Sequence, residues 1–148
     1  MRGLLIGLAL ALAAPPALAQ TRQQQLLQER LQQRREWCLA PGPTSGQAIE
    51  GCTALIESAS ETSASKAAAY HHRGFAYERE GWLAWAIADY TAAIALEPDV
   101  AGPYDNRAAV YEKKGLRDAA IADYRAALKI NPDLDMPRDA LKRLGATP

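Results

Sequence analysis

AAAYHHRGFAYEREGWLAWAIADYTAAIALEPDV, residues 67–100, is followed without a gap by AGPYDNRAAVYEKKGLRDAAIADYRAALKINPDL, residues 101–134. The two 34-residue strings are identical at fifteen positions, among them Tyr70/Tyr104, Arg73/Arg107, Tyr77/Tyr111, Gly81/Gly115, Ala86/Ala120, Asp89/Asp123, Tyr90/Tyr124 and Pro98/Pro132. Self-similarity at such a period marks an array of one recurring supersecondary unit. Each unit has the pattern of a helical hairpin. Tyr70, Gly74 and Tyr77 stand at i, i+4 and i+7, one stripe of a helix that ends at Gly81, a residue suited to the left-handed turn beyond a helix C-terminus. A second stripe runs through Ala86, Tyr90 and Ala93 until Pro98 stops it. Tyr104, Ala108, Tyr111 and then Ala120, Tyr124, Ala127 repeat the arrangement. The small residues Gly74/Ala108 and Ala86/Ala120 let the two helices of a hairpin approach closely. A single hairpin cannot bury its apolar face alone, so the units must stack.

The repeated Arg73/Arg107 and Asp89/Asp123 lie on first and second helices at the same stagger. They predict a structural ion pair within or between hairpins. A catalytic role is disfavoured because no third partner completes a site.

The pattern AYxxRGxAYxxxGxxxxAIADYxxAIxLxP over residues 69–98, with its second copy, resembles the tetratricopeptide repeat in period and signature positions. The resemblance implies an all-α fold, a short right-handed α-solenoid of helix-turn-helix repeats, with units at 66–99 and 100–134. It also implies a non-catalytic module that holds a protein or peptide on the concave face lined by the first helix of each unit. Carried over residue by residue, that face presents His71, His72, Phe75, Glu78 and Arg79, then Asp105, Asn106, Ala109, Glu112 and Lys113. Phe75 is its one aromatic anchor, and an Asn at the place of Asn106 grips a ligand backbone in peptide-holding members. The lysines that clamp a C-terminal carboxylate in chaperone-binding members are missing, which disfavours that role. Plain solvated helix faces are the alternative for these charged positions.

The flanks match more loosely. Gln47 to Ser58 resembles the second helix of a degenerate unit, started by a Thr44/Gln47 capping box. The offset there is 38 rather than 34, so the Ser/Thr/Ala-rich link from Glu57 to Ser65 is expected to carry about four extra residues as a loop. Arg22 to Trp37 is expected to form a Gln/Arg-rich helix within an N-terminal segment 20–65. Pro137 to Leu144, within 135–148, resembles the solvating helix that caps a solenoid. Trp82 and Trp85 stand where the family usually has polar residues. They are either interface anchors or rings covered by the N-terminal helix, and cover is the expectation.

The chain's start has the pattern of a secretory leader: Arg2, an apolar run from Leu4 to Ala14, Pro15-Pro16, and small residues at Ala17 and Ala19. Cleavage after Ala19 would leave Gln20 first. The apolar run of about a dozen residues is short of the roughly 20 that span a bilayer, so no membrane span is expected once the leader is removed. The layout resembles small exported repeat proteins of Gram-negative bacteria, which implies the periplasm. Export favours pairing of Cys38 with Cys52, the two cysteines of the sequence. Zinc binding is disfavoured, since no CxxC pair exists and His71 and His72 are adjacent on a helix.

Of 148 residues, 49% are hydrophobic and 23% charged, with Lys+Arg and Asp+Glu both at 17. That balance provides no positive field for nucleic acid. No phosphate loop, HExxH or Gly-x-Ser-x-Gly is present, so no enzyme and no cofactor are expected. The expected partner is a protein or peptide. The rival expectation is a homodimer joined through Leu27, Leu31 and the Trp82/Trp85 face.

Overall fold

The computed structural model describes residues 17–40 and 42–148, which form seven helices and no strand. The leader expected over residues 1–19 lies almost wholly outside the described residues. The helices are α1 (Ala17–Leu39), α2 (Ser45–Glu57), α3 (Ser63–Arg79), α4 (Leu83–Leu96), α5 (Ala101–Lys113), α6 (Arg117–Ile130) and α7 (Asp135–Arg143). α1 is longer at both ends than the expected Arg22–Trp37. The described residues divide into two units between Leu31 and Gln32. The first is a single stretch of helix, Gln/Arg-rich, with Leu26, Leu27 and Leu31 exposed.

In the second unit, helices pair in chain order: α3 with α4 and α5 with α6 form the two hairpins, while α2 packs on α3, α4 on α5 and α6 on α7. Helix ends follow the chemistry of the sequence. Thr44 caps α2 through its hydroxyl, and the Gln47 side chain returns to the Thr44 backbone, satisfying donors that a helix start leaves open. α3 ends in a Schellman turn: Gly81 N–H donates to Glu78 O and Trp82 N–H to Tyr77 O, with Gly81 at φ 76°. α5 repeats this turn at Gly115, φ 73°, and α7 at Gly145, φ 64°. Only glycine takes that left-handed conformation without strain.

The link before α3 differs from expectation. α3 begins at Ser63 with Thr62 as its cap, so it has 17 residues against 13 in α5. The four extra residues are an added first turn of helix rather than a longer loop. Ala-rich sequence favours helix, and Glu61 holds the turn by accepting from the Ser65 hydroxyl and from Arg35 on α1.

Each hydrophobic cluster bridges a second helix and the first helix of the following unit. Cys52 and Leu55 of α2 meet Ala69 of α3; Ala86 and Tyr90 of α4 meet Val110 of α5; Ala120, Tyr124 and Leu128 of α6 meet Ala108 of α5 and Leu141 of α7. Within the first hairpin Gly74 is required for α3 to pack on α4, because a Cβ there would stand 2.8 Å from the Tyr90 ring. The Cys38–Cys52 disulfide ties α1 to α2. Gly51 supports the tie, since a Cβ on it would meet Arg34 O at 2.5 Å and Trp37 Cβ at 2.8 Å.

The expected ion pairs are present inside each hairpin. Arg73 donates from Nε and Nη2 to both carboxylate oxygens of Asp89, at 2.7 and 2.9 Å, and Arg107 treats Asp123 identically. The third donor of each guanidinium reaches back across the unit boundary, Arg73 Nη1 to Thr53 Oγ1 at 2.9 Å and Arg107 Nη1 to Thr91 Oγ1 at 2.8 Å. The Arg73 guanidinium lies over the rings of Tyr70 and Tyr77, as that of Arg107 lies over Tyr104 and Tyr111. Each arginine therefore fastens three helices.

The tryptophans correct an expectation. Trp82 and Trp85 are 52% and 64% exposed, and their contacts are with Tyr77, ring centroids 5.8 and 6.1 Å away. Trp82 is the residue beyond the Schellman glycine, the place where an apolar side chain packs back on the last helical turn. That local contact, and not burial under the N-terminal helix, accounts for an aromatic residue there.

Candidate functional site

The first helices α3 and α5 stand side by side, and α7 continues the row, joined to α5 by Arg143 and Glu112. Five of the anticipated residues, Asp105, Asn106, Ala109, Glu112 and Lys113, line one open cavity of ≈ 490 Å³. Its floor is Tyr124 of α6, and its far wall is Met136, Asp139, Ala140 and Arg143 of α7. Two anticipated residues of the first unit attach to this set from behind: Glu78 accepts from Lys113 Nζ at 2.6 Å, and His71 Nε2 pairs with Asn106 Nδ2 at 2.8 Å. His72 and Arg79 are exposed and Phe75 is half-exposed, outside that cavity.

A second-helix tyrosine supports each of the glutamates Glu78 and Glu112. The Tyr90 hydroxyl donates to Glu78 at 2.9 Å and the Tyr124 hydroxyl to Glu112 at 3.1 Å. Burial, followed by the charge of the neighbouring glutamate, raises both phenols well above their usual range. They therefore stay protonated as donors and fix the carboxylates in place. Each glutamate in turn binds a cation from the next first helix, Lys113 at Glu78 and Arg143 at Glu112. The face is thus a ladder of Tyr, Glu and cation running along the solenoid.

His71 lies against Tyr90 and His72, with ring centroids 5.8 and 5.7 Å apart. Burial first, and the charge of His72 second, lower its pKa to about 4. At neutral pH the imidazole is neutral, so Nε2 accepts the Asn106 amide hydrogen and Nδ1 carries the proton. Gly102 makes room for this ring, since a Cβ there would lie 3.1 Å from His71 Cε1. The Asn106 side chain, expected to hold a ligand backbone, is therefore engaged by the preceding unit.

The α7 wall goes beyond the solvating cap that the sequence leads one to expect of this helix. Met136, Asp139, Ala140 and Arg143, at i, i+3, i+4 and i+7, carry the signal that would have found it, since that spacing forms one helix face. Gly102 was missed because its need arises from a ring one repeat away.

The fold is thus an α-solenoid of stacked helical hairpins with a lined inner face. The family model for the tetratricopeptide repeat matches residues 67–100 and 101–134. The TPR domain of Arabidopsis OM64 superposes with a TM-score of 0.69 at 24% identity, covering 78% of this chain and 94% of that one. The first TPR of Spaghetti (RPAP3), bound to the HSP90 peptide SRMEEVD, gives 0.64 at 19% identity over 84% and 91% of the two chains. The second TPR domain of human RPAP3, in complex with the HSP70 peptide SGPTIEEVD, gives 0.61 at 20% identity over 86% and 92%. Comparison with curated proteins finds no match to the chain.

Proposed function

We propose that the chain is a non-catalytic adaptor of the periplasm of a Gram-negative bacterium, holding a peptide segment of a partner protein on the face made by α3, α5 and α7. The carrying observation is the continuous lined cavity between α5 and α7, reached from α3 through the Glu78–Lys113 and His71–Asn106 pairs. Two solved domains of the same fold are described with peptides bound. Those peptides end in Glu-Glu-Val-Asp, and a carboxylate-rich ligand is a poor fit here, because Lys113 and Arg143 are already engaged by Glu78 and Glu112. The disulfide suits an oxidising compartment, as does the leader pattern at the N-terminus.

Affinity capture from the periplasm, followed by calorimetric titration of the identified partner, tests this reading. Phe75→Ala with Asn106→Ala is expected to weaken binding several-fold or more, since an anchoring aromatic is worth about 2 kcal/mol and a hydrogen-bonded amide about 1 kcal/mol. Binding that survives this pair and vanishes with Trp82→Ala plus Trp85→Ala would move the interface to the tryptophan face. The exposure of those two rings also favours a second reading, a homodimer using them with Leu27 and Leu31. Light scattering of the oxidised protein separates the two, since a monomer excludes the dimer.

A further inference from the structure

Resting on the concave-face reading, we infer that the partner segment carries a lysine or arginine side chain that enters the cavity between α5 and α7 and pairs with Asp105. The inference comes from an accounting of charge along the cavity wall. Glu112 is held by Arg143 and by the Tyr124 hydroxyl, Lys113 is taken by Glu78, and Asp139 accepts from Lys142 at 3.0 Å. Asp105 alone among the charged lining residues has no hydrogen-bond or ion-pair partner among the described residues. Its carboxylate is half-buried on α5, and withdrawal from solvent pushes its pKa upward, the mark of a charge that would gain from a cation. Asp105 and the floor residue Tyr124 line the same cavity.

The surroundings fit the stem of the same side chain. Ala109, Ala140 and the largely exposed Met136 form an aliphatic wall, against which the methylenes of lysine or arginine pack while the charged head reaches polar ground. The thioether of methionine adapts to stems of different length. The cavity lining carries three carboxylates, Asp105, Glu112 and Asp139, against two cations, Lys113 and Arg143, a balance that favours an incoming positive charge over an incoming carboxylate.

The test uses the full, disulfide-bonded chain and a synthetic library of N-acetylated, C-amidated heptapeptides, whose termini carry no charge. Retained peptides are sequenced, and the tightest is compared by fluorescence polarisation with its counterpart in which lysine or arginine is replaced by methionine. Both are measured against the wild type, Asp105→Asn, and Asp133→Asn in the exposed turn before α7. The expected result is enrichment of lysine or arginine among retained peptides. Neutralising either the peptide cation or Asp105 should cost roughly tenfold in affinity, with little further loss when both are neutralised. Asp133→Asn should bind as the wild type does. Retained peptides that lack a cation, or a cation whose contribution is unchanged by Asp105→Asn, would overturn this inference while leaving the concave face as a binding site, provided Phe75→Ala with Asn106→Ala still weakens them. If no peptide is retained, or if binding ignores Phe75 and Asn106, the concave-face reading falls and this inference with it.

Discussion

Replacing Asp89 by leucine removes both carboxylate oxygens that accept from the Arg73 guanidinium, in a site where the two side chains are 16% and 7% exposed. Breaking such a pair typically costs about 3–5 kcal/mol, because the remaining charge is left buried. Arg73 would keep Thr53 and the faces of Tyr70 and Tyr77, so Asp89→Leu is expected nearer the lower end, about 2–4 kcal/mol. Arg73→Leu orphans the carboxylate instead, at about 3–4 kcal/mol. The double variant leaves no buried charge and fills the same space with leucine, and should lie within about 1 kcal/mol of the wild type. Independent effects would sum to about 6 kcal/mol, so the cycle carries a coupling of several kcal/mol. Urea unfolding of the oxidised protein at pH 7, followed by far-ultraviolet circular dichroism, gives all four stabilities. A double variant as unstable as the sum of the singles would refute the argument that the orphaned charge, rather than lost packing around the tyrosines, sets the cost.

Reduction of Cys38–Cys52 should lower stability by about 3 kcal/mol, the chain-entropy value for so short a loop, and intact mass with and without reductant checks both the bond and a mature start at Gln20. His71 is neutral in the fold below its unfolded pKa, so between about pH 6.5 and 4 the unfolded chain binds a proton that the native state refuses. Stability contributed by this site is complete above pH 6.5 and is lost as pH falls toward 4, by up to about 3 kcal/mol; His71→Gln should flatten that part of the pH profile, and an unchanged profile would refute the burial argument. Ala120→Leu should destabilise far more than Ala126→Leu, by about 1–3 kcal/mol from overpacking, since Ala120 is fully buried and Ala126 only partly; equal urea midpoints would refute the assigned helix phase.

What the sequence made legible were features recorded twice. Arg73/Asp89 and Arg107/Asp123 could be paired because each recurs at one offset, and the Schellman glycines because Gly81 and Gly115 recur likewise. The Thr44/Gln47 box was legible for a different reason, since its two partners lie three residues apart. Contacts that cross from one unit to the next were hidden. Glu78–Lys113 and His71–Asn106 each join unlike positions of adjacent repeats, so the Glu78/Glu112 identity does not point to a partner, and no identity marks the other three residues. The added turn at Ser63–Lys66 was hidden because its Ser/Ala composition suits a loop and a helix alike, and the Arg35–Glu61 contact that favours the helix joins residues far apart in sequence. The place of Trp82 was hidden because the size of its ring points to burial, whereas the turn beside it needs an apolar contact with the last helical turn.

The backward reach of each arginine has a consequence for anyone wishing to lengthen this array. Arg73 ends on Thr53 and Arg107 on Thr91, but the corresponding position of α6 is Arg125, which donates instead to Thr147 O at 3.0 Å. A duplicate of residues 67–100 inserted directly after itself would find a hydroxyl waiting at every junction, since its own Thr91 serves the next arginine. The same duplicate inserted after residue 134 would bring two guanidinium groups together with no acceptor between them. The first unit is the one that can be propagated, and Thr91 against Arg125 is the difference that makes it so.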